Sequence, residues 1–491
     1  MSAIERIRSL YEPQLFEQLG TRLIAQLADH FRQVEAGNGP VLNWRNPADN
    51  VADAASILNQ PLTGSIAERF EQLASEMIGR GQNLHHPRYI GHQVPASVPL
   101  AGLFQCVVAV LNQVMAVYEM GPWITSMERT LVDLWGERIG LKPGTFAGCI
   151  TNGGSLANLT ALLTARNVAL ADAWEAGLSH YATAPVLLVQ SDAHYCIARA
   201  AGILGLGTWQ VQRVPLNVRR QMDLEALRKM LTEQRSAQRP VVAVVASACA
   251  TPIGAFDELH AVADVCEEFG VWMHVDAAHG GATAFSDKYR HLIAGLERAD
   301  SFICDAHKTM FVPALCAFVF YKNRGHRFEA FRQEAPYLFD PSAPGMAEFD
   351  SGMLTVECTK QGLSAALWGM MALCGPELFG DLIDLTFDKT REFHDILQAA
   401  PDFEPLHEPQ CNIQVFRYVP EAVQEWTMPQ IGEFNRQIRR AIIESGEFYI
   451  VQTNLNGEGA LRACVMNPLT ETSDLLGLLD GIRRQGERLL A

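Results

Sequence analysis

The sequence predicts an α/β protein whose core is a large, mostly parallel β-sheet. Residues 241–246 are continuously apolar and rich in β-branched side chains, which is typical of a strand buried on both faces, and Val186–Gln190 is another short apolar strand. A helical pattern over residues 258–269 then leads to another apolar strand, which ends at Asp276. Because strand–helix–strand alternation builds parallel units, we expect a doubly wound sheet.

Length and composition limit the class of protein. The 491 residues exceed what one simple core needs, and 48% apolar with 19% charged residues indicates a globular chain. A net charge of −16 argues against nucleic-acid or anionic-membrane partners. The eleven cysteines are an odd number without a Cys-x-x-Cys pair, and the N-terminus lacks an apolar signal core. We therefore expect a cytoplasmic protein without disulfides and without a metal site.

Three regions are predicted along the chain. Residues 1–90 form a helical arm, residues 91–375 the large α/β domain, and residues 376–491 a small C-terminal α+β domain. The arm is amphipathic, because leucines recur at near-helical spacing at positions 10, 15, 19, 23 and 27. The C-terminal domain shows apolar strands at residues 412–417, 448–453 and 460–465. A small arm has no core of its own, so it should pack on a partner subunit.

One uncharged segment is long enough to suggest a membrane span. Residues 92–118 contain no Asp, Glu, Lys or Arg. The segment includes Pro95, Pro99 and several amides, however, and is not uniformly apolar. A helix buried in a subunit interface is the better interpretation, and together with the arm it predicts a homodimer that binds no membrane.

Two strand ends carry the residues on which a functional prediction rests. Asp276 ends one apolar strand, and His307 and Lys308 follow another at residues 301–304. The carboxyl ends of strands are where open α/β sheets bind ligands. Pyridoxal 5′-phosphate needs both groups, because its aldehyde condenses with a lysine amine and its ring nitrogen requires an acidic partner. The small residues after Asp276, including Ala278, would let a flat group lie close to the backbone.

The motifs at these strand ends resemble those of a known family. His-Val-Asp-Ala-Ala at residues 274–278, followed by His307-Lys308, is similar to the group II pyridoxal-phosphate decarboxylases, which act on glutamate, aromatic amino acids or diaminobutyrate. The resemblance covers nearly the whole chain and is most pronounced from residue 150 to residue 360. It implies a fold type I enzyme that converts an L-amino acid to its amine and carbon dioxide, with Lys308 and Asp276 in the roles described above.

The resemblance also implies further cofactor contacts. The stretch 151–158, Thr-Asn-Gly-Gly-Ser-Leu-Ala-Asn, matches the phosphate loop of the family, with Gly154 and Ser155 at a helix N-terminus. His194 matches a histidine that stacks on the cofactor ring and can position the substrate carboxylate. Thr251 matches a threonine that contacts the cofactor, and His307 fits a neighbour of the phosphate or the lysine.

Substrate and proton-transfer residues follow from the same resemblance. His92 and Gln93 belong to a segment that helps to line the substrate pocket, and Arg462 matches an arginine that can meet a carboxylate. Tyr337 lies in a Pro- and Gly-bearing loop, residues 335–352, that resembles a mobile catalytic loop whose tyrosine protonates the substrate carbon.

At two positions the chain departs from its relatives. Asp305 replaces a common Asn, which would place negative charge near the phosphate, and Lys360 replaces a common Arg.

Several alternatives remain open at this point. Gln93 and Arg462 suit a side-chain carboxylate, as in glutamate or aspartate, but either could hold the α-carboxylate that all substrates share. Diaminobutyrate and aromatic amino acids are therefore alternative substrates. Another pyridoxal-phosphate reaction, such as oxidative deamination or a lyase, is a rival that Phe at position 337 would have favoured. An inactive scaffold protein would be expected to lack Lys308 or Asp276, and the chain has both.

Overall fold

The structure is a computed structural model that describes residues 2–332 and 347–491, and it divides into two compact units. The first unit comprises residues 1–92, 392–406 and 415–491, and the second comprises residues 93–391 and 407–414. The sequence placed boundaries near residues 90 and 375. In the structure the N-terminal and C-terminal residues belong to the same unit. The backbone N–H of Val41 donates to the carbonyl of Gly446, and the backbone N–H of Ile90 donates to the carbonyl of Tyr449.

The helices and strands alternate through most of the chain. The α-helices in the described residues are α1 (Ala3–Ser9), α2 (Pro13–Glu35), α3 (Pro47–Asn59), α4 (Ile66–Arg80), α5 (Pro99–Val110), α6 (Pro122–Ile139), α7 (Gly154–Ala169), α8 (Ala173–Ala176), α9 (Cys196–Ile203), α10 (Leu224–Ser236), α11 (Leu259–Phe269), α12 (Ala306–Thr309), α13 (Ala365–Cys374), α14 (Glu377–Ala399), α15 (Met428–Ser445) and α16 (Thr472–Leu490). The strands there are β1 (Val114–Met115), β2 (Ala147–Thr151), β3 (Val186–Gln190), β4 (Val211–Val214), β5 (Val241–Ser247), β6 (Met273–Asp276), β7 (Ser301–Asp305), β8 (Ala317–Tyr321), β9 (Lys360–Gln361), β10 (Phe403–Pro405), β11 (Ile413–Tyr418), β12 (Val451–Leu455) and β13 (Glu458–Cys464).

The second unit is built on a sheet whose order, in the described residues, is β2-β8-β7-β6-β5-β3-β4. The pairs from β7 through β4 are parallel, which confirms the predicted α/β class with a mostly parallel sheet. β8 runs antiparallel to both of its neighbours, β2 and β7. Residues 306–316, which join β7 to β8, are fewer than the roughly dozen residues that a parallel crossover requires.

The apolar sequence of the central strands reflects burial on both faces. Every residue of β2, β3, β6 and β7 is buried, and so are all but the first residue of β5. Helix α7 packs on the sheet through Ala157, Ala161 and Ala165, small residues that bring the helix close to the strands. Helix α11 ends at Gly270, whose φ of 64° is the left-handed conformation that closes many helices. Because β8 is antiparallel to both β2 and β7, β2 has the same direction as the five parallel strands, and these six strands end at the same edge of the sheet.

The first unit contains the arm helices α1 to α4 and a sheet of order β10-β11-β13-β12, in which the pairs β10–β11 and β12–β13 are antiparallel. Strand β11 begins in the second unit and continues into the first at Val415, and α14 passes from the second unit to the first at Glu392. α15 and α16 pack on one another and contribute Ile438, Leu475 and Leu478 to an apolar core.

No single helix of the described residues is both long enough and apolar enough to cross a membrane. Helices α13 and α14 together have the length and composition of a membrane span, but they are bent by 98° relative to each other.

Candidate active site

The site lies where β2, β3, β5, β6 and β7 end. The loops that follow these strands surround a cavity of about 380 Å³. Nine of the residues predicted for the site line it, namely Gln93, Gly154, Ser155, His194, Thr251, Asp276, Ala278, His307 and Lys308. A cavity of about 420 Å³ at the amino ends of the same strands contains none of them. The structure therefore brings the predicted residues to the ligand-binding edge of the sheet.

Lys308 enters the cavity from α12, the short helix after β7. Its Nζ lies 3.1 Å from Oδ2 of Asp305, a carboxylate that is 2% exposed. Burial of the Lys308 amine opposes its charge, but the negative charges of Asp305 and Asp276 outweigh burial and hold the pKa of Lys308 above its ordinary value. The carboxylates at the ends of two neighbouring strands therefore stabilise the protonated form of this amine.

Asp276 is held by a chain of hydrogen bonds that runs into the core. Its Oδ1 accepts from the backbone N–H of Ala278 at 3.1 Å, and its Oδ2 accepts from Nδ2 of Asn158 at 3.1 Å. Oδ1 of Asn158 lies 2.8 Å from Nε2 of His274, whose Nδ1 lies 2.8 Å from Oγ of Ser301. Nε1 of Trp272 donates to the same Ser301 oxygen at 2.9 Å.

The hydrogen bonds of this series can all be donated in one direction, toward Asp276. Burial lowers the pKa of His274 to about 4, so its ring is neutral at pH 7. A neutral ring that accepts from Ser301 at Nδ1 must donate from Nε2 to Asn158, which in turn donates to Asp276. Nδ2 of Asn158 also donates to Sγ of Cys196, at 3.3 Å. The Asp276 carboxylate is therefore fixed in orientation by a chain that ends in a buried tryptophan.

His194 follows β3 and is a neutral ring as well. Burial lowers its pKa, an effect that Asp276 opposes and Lys308 reinforces. The backbone N–H of Cys196 donates to Nδ1 of His194 at 3.3 Å, which leaves Nε2 as the protonated nitrogen. A neutral, flat, half-buried ring at the cavity suits the stacking role predicted for this residue.

The N-terminus of α7 forms another wall of the cavity. Gly153 has a φ of 97°, a conformation that favours glycine. A Cβ on Gly154 would lie 2.6 Å from Oδ2 of Asp305, so no larger residue fits there. The positive end of this sixteen-residue helix can attract a phosphate.

Two of the predicted residues belong to the first unit, and a third lies outside the described residues. His92 and Arg462 belong to the first unit, where burial, and after it the charge of Arg462, lowers the pKa of His92. Tyr337 lies outside the described residues, so its role stays a prediction.

Lys360 is a buried structural residue. Its Nζ donates to both oxygens of Glu128, at 2.8 and 2.9 Å, and to the carbonyl of Ile150. The backbone N–H of Ile150 donates to the same carboxylate at 3.0 Å. In the described residues β2 is an edge strand, so the backbone N–H and carbonyl of Ile150 have no strand partner on that side. The ion pair provides hydrogen-bond partners for both groups, one residue before β2 ends.

Several lining residues were not predicted from the sequence, among them Asn158, Cys249 and His279. Asn158 belongs to the quoted motif at 151–158, and its place one helical turn after Gly154 could have suggested an inward-facing side chain. Cys249 and His279 carry no local signal, because each is a single residue after a strand.

The residues present fit pyridoxal phosphate. They supply an amine for its aldehyde, a fixed carboxylate for its ring nitrogen, and the positive end of helix α7 for its phosphate. Asp305 is the one departure. Its Oδ1 is buried and has no hydrogen-bond partner among the described residues, and it places a carboxylate where the resemblance expects a neutral amide.

Comparison with known proteins identifies a family and several relatives. The family described as the pyridoxal-dependent decarboxylase conserved domain matches residues 67–419. The chain is 27% identical to an L-2,4-diaminobutyrate decarboxylase of Acinetobacter baumannii, over 86% of this chain and 84% of that one. It is 28% identical to an L-aspartate decarboxylase of Metarhizium robertsii, over 80% and 78% of the two chains. The crystal structure of mouse CSAD has the same fold, with a TM-score of 0.89 at 24% identity over 97% of this chain and 99% of that chain.

Proposed function

Because this chain belongs to the pyridoxal-dependent decarboxylase family, we propose that the amino acid it decarboxylates is small and acidic, of the size of aspartate or glutamate. The reaction class itself follows from the family: the chain is a pyridoxal-phosphate-dependent carboxy-lyase that releases carbon dioxide from an amino acid. Family membership does not identify the substrate, because two relatives of similar identity are a diaminobutyrate decarboxylase and an aspartate decarboxylase.

The volume of the cavity is the observation on which this proposal rests. Ligand cavities usually span about 300–1,000 Å³, and the cavity around Lys308, at about 380 Å³, is near the lower limit. It must receive the cofactor as well as the reacting part of the amino acid. A short side chain is therefore favoured over an aromatic one.

Gln93 supports the choice of an acidic side chain. It lines the cavity together with Lys308, and its amide N–H groups can donate to a carboxylate. The similarity to an L-aspartate decarboxylase agrees with this choice.

The roles of the residues follow from their positions. Bound pyridoxal phosphate withdraws electrons from the α-carbon, so that a bond to this carbon can break. Lys308 would hold the aldehyde carbon, and Asp276, oriented by Asn158, would hold a proton at the ring nitrogen. The N-terminus of α7 would hold the phosphate, and the neutral His194 ring would lie against the ring face. Tyr337 is proposed to return a proton to the α-carbon.

The experiment is a screen for amine products. The purified holoenzyme is incubated with aspartate, glutamate, cysteine sulfinate, 2,4-diaminobutyrate and the aromatic amino acids, and kcat/KM is measured for each. We expect the highest values for the acidic substrates. A preference for diaminobutyrate or an aromatic amino acid would refute the acidic proposal without affecting the reaction class.

A variant of Gln93 shows which carboxylate it meets. Losing a hydrogen bond to a charged group costs about 1.5–3 kcal/mol, or about 10- to 150-fold in kcat/KM. If Gln93 meets the side-chain carboxylate, Gln93→Leu should lower kcat/KM for aspartate by this factor but leave that for neutral 2-aminobutyrate nearly unchanged. An equal decrease for both would assign Gln93 to the α-carboxylate.

We also propose that the enzyme is a homodimer. Helix α5 and the residues after it expose large apolar side chains, with Val107 at 55%, Leu111 at 62% and Trp123 at 61%. An apolar surface of this kind is typical of a subunit interface. Sedimentation of the holoenzyme should show a dimer that Val107→Glu weakens. A fully active monomer at micromolar concentration would contradict the proposal.

The location proposed for the protein is the cytoplasm. All eleven cysteines lie in the described residues, and no disulfide joins any of them there, which is typical of proteins in a reducing compartment. Fractionation of cells that express a tagged chain tests this location.

A further inference from the structure

We propose that Cys249, His279 and Cys411 form a binding site for Zn²⁺ or another thiophilic divalent cation beside the cavity. All three residues belong to the second unit, and each is less than 10% exposed. One possible ligand atom from each lies within 4.8 Å of the other two. This proposal does not depend on the identity of the amino acid substrate.

The spacing of the two thiols suits a tetrahedral metal. The Sγ atoms of Cys249 and Cys411 are 3.8 Å apart. Two Zn–S bonds of about 2.3 Å at a tetrahedral angle place their sulfur atoms about 3.8 Å apart. The thiol of Cys411 reaches this position because Gly254 has no side chain, since a Cβ there would lie 2.6 Å from Sγ of Cys411. The metal-free arrangement therefore already has the separation that two thiolate ligands need.

The imidazole of His279 is held through one of its nitrogens by an amide oxygen, as histidine ligands in metal sites commonly are. Its Nε2 lies 2.6 Å from Oδ1 of Asn412, the residue after Cys411. When Nε2 donates to this oxygen, Nδ1 carries the lone pair that a metal requires. A ligating histidine commonly donates its second nitrogen to an oxygen acceptor, which fixes both the tautomer and the ring plane. Asn412 can serve as that acceptor.

Charge and access support the same conclusion. Two thiolates and a neutral imidazole balance the charge of a divalent cation, so the occupied site buries no net charge. Cys249 and His279 line the cavity that holds Lys308, which gives a cation a path to the site. Three protein ligands leave the fourth tetrahedral position for water or another small ligand. Because a bound cation and its fourth ligand would occupy space beside the cavity that holds Lys308, we expect turnover to fall as the site fills.

The test uses the holoenzyme and a direct spectroscopic signal. Co²⁺ is titrated into metal-free holoenzyme, and its d–d absorption is followed in the red, away from the cofactor bands. Zn²⁺ affinity is then measured by competition with a chelating dye, and bound zinc is determined by elemental analysis. We expect one cation per chain and the d–d intensity of a tetrahedral thiolate site.

Two cysteine variants and one control make the test decisive. Mutation of a residue that only hydrogen-bonds to a metal ligand typically lowers metal affinity about 10- to 100-fold. Loss of a direct ligand is more severe, so Cys411→Ser should weaken Zn²⁺ binding at least about a hundredfold. Cys249→Ser should do the same if Cys411→Ser fails to fold. Cys106→Ser alters an exposed thiol on α5 and should bind like the wild type. Equal Zn²⁺ affinity in all proteins, absence of the tetrahedral Co²⁺ signal, or a Cys249–Cys411 disulfide in protein purified under reducing conditions would overturn the proposal.

Discussion

The hydrogen-bond chain behind Asp276 leads to a specific prediction about Asn158. Asn158 is 1% exposed and is the side chain that links His274 to Asp276. Asn158→Ala removes the donor to Oδ2 of Asp276 and leaves Nε2 of His274 without its acceptor. Asp276 keeps its bond from the backbone of Ala278, so it should stay in place but lose one of two orienting contacts.

The size of the effect follows from the lost contact. A hydrogen bond to a charged group contributes about 1.5–3 kcal/mol, which corresponds to about 10- to 150-fold in rate or affinity. We expect kcat/KM to fall within this range and the affinity of the apoenzyme for pyridoxal phosphate to fall in the same direction. Asn158→Asp should be more damaging, because it places a second carboxylate next to Asp276.

A matched control separates this effect from general damage to α7. Thr164 is buried on the same helix, and its hydroxyl lies 3.0 Å from the Tyr321 hydroxyl, away from Asp276. Kinetics and an absorbance titration with pyridoxal phosphate are measured for Asn158→Ala and Thr164→Ala, with circular dichroism to verify folding. If Asn158→Ala loses no more activity and no more cofactor affinity than Thr164→Ala, the hydrogen-bond chain does not support Asp276.

Other substitutions test the remaining roles. Lys308→Ala should abolish turnover and the visible absorption of the lysine-bound cofactor while the fold persists, and substantial steady-state turnover would disprove its assignment. Asp276→Asn should retain bound cofactor but lose most activity, because an amide cannot hold a proton at the ring nitrogen; near-wild-type activity would mean that Asp276 is only structural. Tyr337→Phe should still release carbon dioxide but form less amine, with aldehyde and ammonia as by-products of oxidation by dissolved O2, which is reduced to hydrogen peroxide; an unchanged amine yield would point to another proton donor. Lys360→Met leaves Glu128 charged and buried, which costs about 3–5 kcal/mol. For a unit of about 300 residues this lowers the Tm by about 5–8 °C, whereas Lys360→Arg should lose less; an unchanged Tm in Lys360→Met would show that the pair does not stabilise the sheet.

Much of the fold could be predicted because its signals are local. β3 coincides with the predicted apolar segment, and α11 begins within one residue of its predicted start. The central strands are recognisable since burial on both faces requires uninterrupted apolar side chains. The direction of β8 was not predicted, because it depends on how few residues join it to β7 rather than on the composition of the strand.

By itself the sequence determined the class of fold, the family and the residues at the strand ends, because each strand and the motif after it occupy a few consecutive positions. Only the tertiary structure decided which polar groups are paired in the interior. Asn158 and Asp276 are 118 residues apart, Glu128 and Lys360 are 232 apart, and Cys249 and Cys411 are 162 apart. Contacts between such distant residues leave no periodic pattern in either segment. They arise because a buried polar group must find a partner, and the packing of the sheet and its helices determines which partner is within reach.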